Sequence, residues 1–89
     1  MNVRLNGTFD IYTQAALREG LQWVRGPVTI DLSDAWLTSA GLGELLRLAN
    51  RIGPANMELA NPTPVMRKIL SVTNIDRLLR VTTPTEAAA

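Results

Sequence analysis

The 89-residue chain contains no cysteine and no histidine. Without thiols there is no disulfide framework, no thiolate nucleophile and no cysteine-ligated zinc. Without imidazole the commonest general base and the commonest metal ligand are missing too. Aromatic residues are scarce: two Trp, one Tyr and one Phe. Neither sign of charge dominates. Nine basic residues face eight acidic ones, for a net charge of +1, too balanced for a nucleic-acid binder that works by neutralising phosphates. No apolar run approaches the length of a membrane span, and the first residues do not read as a basic-then-apolar leader. A cytoplasmic protein without membrane insertion is therefore expected. Phosphate-cradling and dinucleotide-binding glycine loops are also lacking, and no two carboxylates share a helix face in a way that suggests acid–base work. The expectation is a protein that is not an enzyme and that has no cofactor and no metal site.

What remains is enough to fold. The hydrophobic fraction is 46% and the charged fraction 19%, a balance that favours a packed core over disorder. The length allows one domain with a modest core. Eight of the nine basic residues are Arg, a side chain suited to carboxylates and phosphates, but they are scattered as on solvated helix faces.

Hydrophobic period divides the chain into alternating strands and helices. Residues 2–5 read as a short strand and Asn6-Gly7 as a turn. Residues 8–24 read as a helix with Leu17, Leu21 and Val24 on one stripe, capped by Asp10 or Thr13. Residues 28–32 form the clearest strand, rich in β-branched side chains. Ser33-Asp34 reads as a turn, and Ala35-Trp36-Leu37 as an apolar segment packed under the next helix. That helix, residues 39–52, has the best pattern in the chain. Leu42, Leu45, Leu46, Ala49 and Ile52 share one face; Glu44, Arg47 and Arg51 take the other. Residues 57–60 read as a strand. Thr63 and Pro64 then form an N-cap and first helical position, with Val65, Ile69 and Val72 as the inner stripe, joined by Met66 and Leu70. Residues 74–77 read as a turn or short helix and 78–81 as a last strand. The fold class is α/β: a mostly parallel sheet whose faces are covered by amphipathic helices. Residues 1–81 form the domain and 82–89 a flexible C-terminal tail.

The junction between residues 28 and 43 concentrates what function there is. A buried strand ends, and Thr38-Ser39-Ala40-Gly41 places small residues and free backbone N–H groups at a helix start. Ser39 or Thr38 caps the helix. Gly41 and Gly43 permit close approach, and Leu42 has the phase of a core residue. Trp36 reads first as packing, although Trp is also enriched at contact surfaces.

Five segments in order resemble a known family: Gly7-Thr8-Phe9-Asp10, Asp31-Leu32-Ser33, Ser39-Ala40-Gly41-Leu42-Gly43, Asn61-Pro62-Thr63-Pro64-Val65 and Ile75-Asp76-Arg77-Leu78-Leu79. Together they resemble a STAS domain, the fold of bacterial anti-sigma factor antagonists. The resemblance implies a non-catalytic partner-switching module that binds a kinase-fold anti-sigma factor. It implies contact residues at Asp10, Ser33, Thr38, Ser39, Ala40, Gly41, Leu42 and Glu44. In phosphorylated relatives the loop reads Asp-Ser-Ser-Gly-Leu-Gly, and the accepting hydroxyl precedes the glycine. That position here is Ala40, which has no hydroxyl. Ser39 and Thr38 are the remaining candidates for modification, but the expected state is a module that does not use the usual switch. The domain also resembles the small STAS subunit of ABC-type phospholipid transport systems, which binds the ATPase and keeps a hydroxyl one position earlier, as Ser39 does. Binding of a small anionic ligand at the helix start is a third use of such a junction. Relatives carry a further strand before the glycine turn, and its shortening or loss implies an open sheet edge that favours a homodimer or edge pairing with a partner.

Overall fold

The computed structural model describes residues 1–82. Four strands, β1 (Asn2–Phe9), β2 (Val28–Leu37), β3 (Met57–Ala60) and β4 (Arg80–Thr82), alternate with helices α1 (Gln14–Leu21), α2 (Ser39–Ile52), α3 (Pro64–Val72) and the single turn α4 (Ile75–Leu78). All strand pairs are parallel, in the order β1-β2-β3-β4. Chain order and spatial order coincide, so every right-handed crossover carries its helix to the same side of the sheet. The helices therefore cover one face, where both faces were expected to be covered. The burial of β2 shows the consequence: Val28, Ile30, Leu32, Ala35 and Leu37 point into the core, whereas Thr29, Asp31, Ser33, Asp34 and Trp36 point away from it. Across the open side Thr29, Glu58 and Arg80 stand in register, and Arg4 lies opposite Asp31. A polar face of this kind needs no covering layer, because water satisfies it.

Several elements differ from the reading by period. β1 runs to Phe9, so Asn6-Gly7 is not a turn. Gly7 sits inside the strand at φ 112, a conformation that glycine tolerates without a Cβ clash. α1 consequently begins at Gln14 rather than Thr8. Ser33-Asp34 is not a turn either. The register against β1 jumps there, from Arg4 opposite Asp31 to Asn6 opposite Asp34. One extra residue is taken up as a bulge and the strand continues. The Asp31 carboxylate accepts the Ser33 N–H at 2.9 Å and fixes that bulge. This bond holds the Asp31 pKa below the usual carboxylate range. Trp36 follows the bulge on the open face, 47% exposed, and does not pack under α2.

In α3, Thr63 caps the helix as expected, accepting the Met66 N–H. The inner residues are Met66 and Leu70, with Ile69 partly buried; Val65 and Val72 are exposed. Asn74, at φ 61, turns the chain into α4. The last strand is Arg80–Thr82, so Thr82 belongs to the sheet; residues 83–89 of the expected tail lie outside the described residues. The core centres on Ile30, Leu32, Leu37, Leu45, Leu59, Met66 and Leu70, each with at most 1% of its surface exposed. Burying each such side chain contributes roughly 2 kcal/mol.

Candidate functional site

The end of the sheet where β1 and β2 stop is assembled around one carbonyl. Phe9 O accepts the backbone N–H of Thr38 at 3.1 Å and its hydroxyl at 3.2 Å. Gly41 lies directly above: a Cβ there would stand 2.7 Å from the same oxygen. The glycine is thus demanded by close approach of α2 to β1. Thr38 occupies the N-cap position, but its hydroxyl is spent on Phe9 and not on the helix. Ser39 is the first helical residue and is exposed; Ala40 is half-buried beside it. The exposed part of the junction is therefore Ser39 with the edges of Thr38 and Ala40.

Beside this junction the chain leaves β1 through a tight turn. The Asp10 carboxylate accepts the N–H groups of Tyr12 (2.9 Å) and Thr13 (3.2 Å). The Thr13 hydroxyl accepts from the Asp10 N–H at 2.9 Å. These bonds hold up the two apolar residues between them: Ile11 is 72% and Tyr12 91% exposed. Asp10 thus has a structural task, presenting its neighbours. Ile11 and Tyr12 escaped the sequence reading because they fall in a segment whose period pointed to a helix. The available signal was two large apolar side chains that match no stripe.

Three expected contact residues are not on the surface. Leu42 is 5% exposed in the core, Gly41 is buried against β1, and Glu44 is 2% exposed. Ser33 lies half-buried in the β2 bulge, away from the helix start. Glu44 was expected on the solvent side of α2; instead it joins α2 to α1. Its carboxylate takes two bonds from Arg18, Nε to Oε1 at 2.9 Å and Nη2 to Oε2 at 2.8 Å. A third comes from Gln14 Nε2 at 2.8 Å, and Arg47 Nε lies 3.7 Å away. The Arg18 bonds outweigh the cost of burial and push the Glu44 pKa down to about 2. One turn beyond Arg47, Arg51 donates to the carbonyls of Val24 and Leu21, both at 2.8 Å. It closes the C-terminal end of α1, where carbonyls lack helical partners. α2 thus holds both ends of the short α1 and so fixes the loop that carries Ile11 and Tyr12.

Among the described residues no group of three or more Asp and Glu side chains could hold a metal ion, and no helix is long and apolar enough to cross a membrane.

These features define a small, singly wound parallel α/β domain. The end of its sheet where α2 begins offers a hydroxyl, a helix start and exposed apolar side chains. A family model described as "Mlab, STAS domain" matches residues 1–80. A STAS-domain-containing protein of Pseudomonas aeruginosa (strain UCBPP-PA14) is 31% identical over 87 residues, covering 91% of this chain and 86% of its own. The crystal structure of a candidate anti-sigma factor antagonist from Thermotoga maritima matches with a TM-score of 0.79 at 23% identity, covering 98% of this chain and 84% of that one. That likeness shows a shared fold. The chain belongs to the STAS-domain family.

Proposed function

We propose that this chain is a non-catalytic docking module that binds a kinase-fold anti-sigma factor through the end of the sheet where α2 begins. The carrying observation is that Ser39, Ile11 and Tyr12, all exposed, follow within three residues the Thr38 and Phe9 that hydrogen bonds join, on a base of buried groups and not of reactive ones. Each element beneath it, Gly41 on Phe9 and Glu44 with Arg18, serves to fix shape. Ala40 occupies the place of the phosphorylated serine in switching relatives, so docking is constitutive at that position. Competition for the anti-sigma factor then frees the sigma factor.

The experiment is capture of purified partner by the wild type, Tyr12→Asp and Ala40→Glu. Tyr12 is almost fully exposed, so its substitution leaves the core intact. Both variants are expected to lose capture at least tenfold. Capture unchanged by either would place docking elsewhere. With the kinase-fold partner and ATP, the mass of the wild type is expected to stay constant; gain of one phosphate would contradict the non-switching reading.

A second reading has its own support. The matching family model is described as "Mlab, STAS domain", and Ser39 keeps a hydroxyl one position before Ala40-Gly41, as the transport-associated STAS subunits do. On that reading the same surface binds the transporter ATPase. Parallel capture with the ATPase and the anti-sigma factor separates the two.

A further inference from the structure

The fold gathers three arginines that lie far apart in the sequence. A cleft of about 270 Å³ runs between α1 and α2, lined by Arg18 and Gln22 on one side and by Arg47 and Arg51 on the other. Leu21 and Leu48, both buried, add an apolar part to its wall. Glu44 is the one carboxylate that lines it; Glu19, next to Arg18 on α1, does not. Nor do the residues of the α2 start, so the cleft is separate from the Thr38–Gly41 junction. Three positive side chains against one negative leave it at +2, whereas the whole chain carries +1. Positive charge is therefore concentrated here, in a concave place that focuses its field.

Most of the donors in this cleft are free. A guanidinium has five N–H groups. Arg18 gives two of them to Glu44, and Arg51 gives two to the carbonyls of Val24 and Leu21, which bear no net charge. Arg47 makes no hydrogen bond among the described residues: its Nε stands 3.7 Å from Glu44. Glu44 does not need it, because Arg18 and Gln14 already supply three bonds. Arg47 and Arg51 are moreover like charges one turn apart on α2, which destabilises a helix. Arg51 has a structural task that offsets this cost, and Arg47 has none.

We infer that the cleft between α1 and α2 is a binding site for a phosphoryl group, held by Arg18 and Arg47. A phosphomonoester carries about −1.5 to −2 at neutral pH and three acceptor oxygens. That charge balances the cleft, and the oxygens suit guanidinium forks reaching them from two elements. A carboxylate brings one charge and two oxygens, and leaves one positive charge uncompensated. Glu44 prepares the site without occupying it. Its two bonds fix the Arg18 side chain before any ligand arrives, so less side-chain freedom is lost on binding.

The test is a titration of the full chain with inorganic phosphate, phenyl phosphate and acetate, followed by NMR. Salt is kept below about 0.1 M, above which exposed charges are screened. The side-chain Nε–H signals of Arg18 and Arg47 are expected to shift saturably with both phosphates and far less with acetate. Equal affinity for the two phosphates assigns the site to the ion itself; tighter binding of the ester assigns it to a phosphorylated molecule. Arg47→Gln should bind phosphate at least about tenfold more weakly, the effect of losing a charged hydrogen-bond partner. Arg47 is 70% exposed, so this variant should keep the wild-type circular dichroism. Arg67→Gln removes the same charge from the exposed surface of α3 and should bind as the wild type does. Absence of saturable shifts in the wild type overturns the inference. So does an equal loss in the two variants, because net charge and not the cleft then attracts the anion.

Discussion

Glu44→Gln should cost stability at neutral pH and almost none in acid. Glu44 is the one buried charged residue among the described residues, and Arg18 and Gln14 bond both of its oxygens. Its pKa falls from 4.5 to about 2. At about 1.4 kcal/mol per pH unit this corresponds to about 3.5 kcal/mol. The Arg18 side chain is 54% exposed, so solvent screens the pair, and about 2 kcal/mol is the expected effect. A folded-state pKa below the unfolded one gives stability that is complete above about pH 5 and lost as pH falls toward 2. Urea unfolding followed by circular dichroism should therefore show the variant about 2 kcal/mol weaker at pH 7. The gap should close progressively between pH 5 and pH 2.5. Asp31, whose pKa is also depressed, weakens both proteins in acid and cancels in the difference. A gap of equal size at pH 7 and pH 2.5 would refute the ionic origin. A gap under about 0.5 kcal/mol at pH 7 would show that Arg18 and Gln14 contribute no more than an exposed pair.

Gly41→Ala should lower stability by about 2 kcal/mol, because the new methyl meets the Phe9 carbonyl and Leu37; thermal unfolding should fall by roughly 10 °C. Arg51→Met keeps the aliphatic stem but removes the bonds to Leu21 and Val24. A loss of about 1–2 kcal/mol is expected, with faster hydrogen exchange confined to the end of α1. Ser39→Glu puts a carboxylate in the first turn of α2, which helix electrostatics favour by about 0.5 kcal/mol. Unfolding should be unchanged or slightly later while partner capture is lost; a parallel loss of fold would mean that Ser39 is structural.

Element type was legible wherever local period and punctuation agreed. Residues 39–52 carry a full amphipathic pattern and end at Gly53-Pro54, and α2 has those bounds. Residues 57–60 are likewise β3, and the Thr63-Pro64 start of α3 follows from capping chemistry alone. The failures share a cause. Asn6-Gly7 and Ser33-Asp34 have turn composition, yet neighbouring strands pair across them. Ladder bonds and the Asp31–Ser33 bulge override a local preference worth less than the pairing.

The site was legible as a location and not as a set of surfaces. The Thr38–Gly41 junction could be found from its small residues. Whether Glu44 faces outward depends on what lies 26 to 30 residues away in the chain, and Tyr12 on a turn that the helical period hid. Glu44 goes inside because Arg18 and Gln14 wait on α1, and Tyr12 stays outside because Asp10 and Thr13 hold its loop upright. Sequence by itself determined the absence of thiol and imidazole chemistry, the βα alternation and the missing hydroxyl at Ala40, since each is a property of residue identity or local spacing. Tertiary structure alone decided the single covered face of the sheet and the buried carboxylate, because each depends on which distant segments meet.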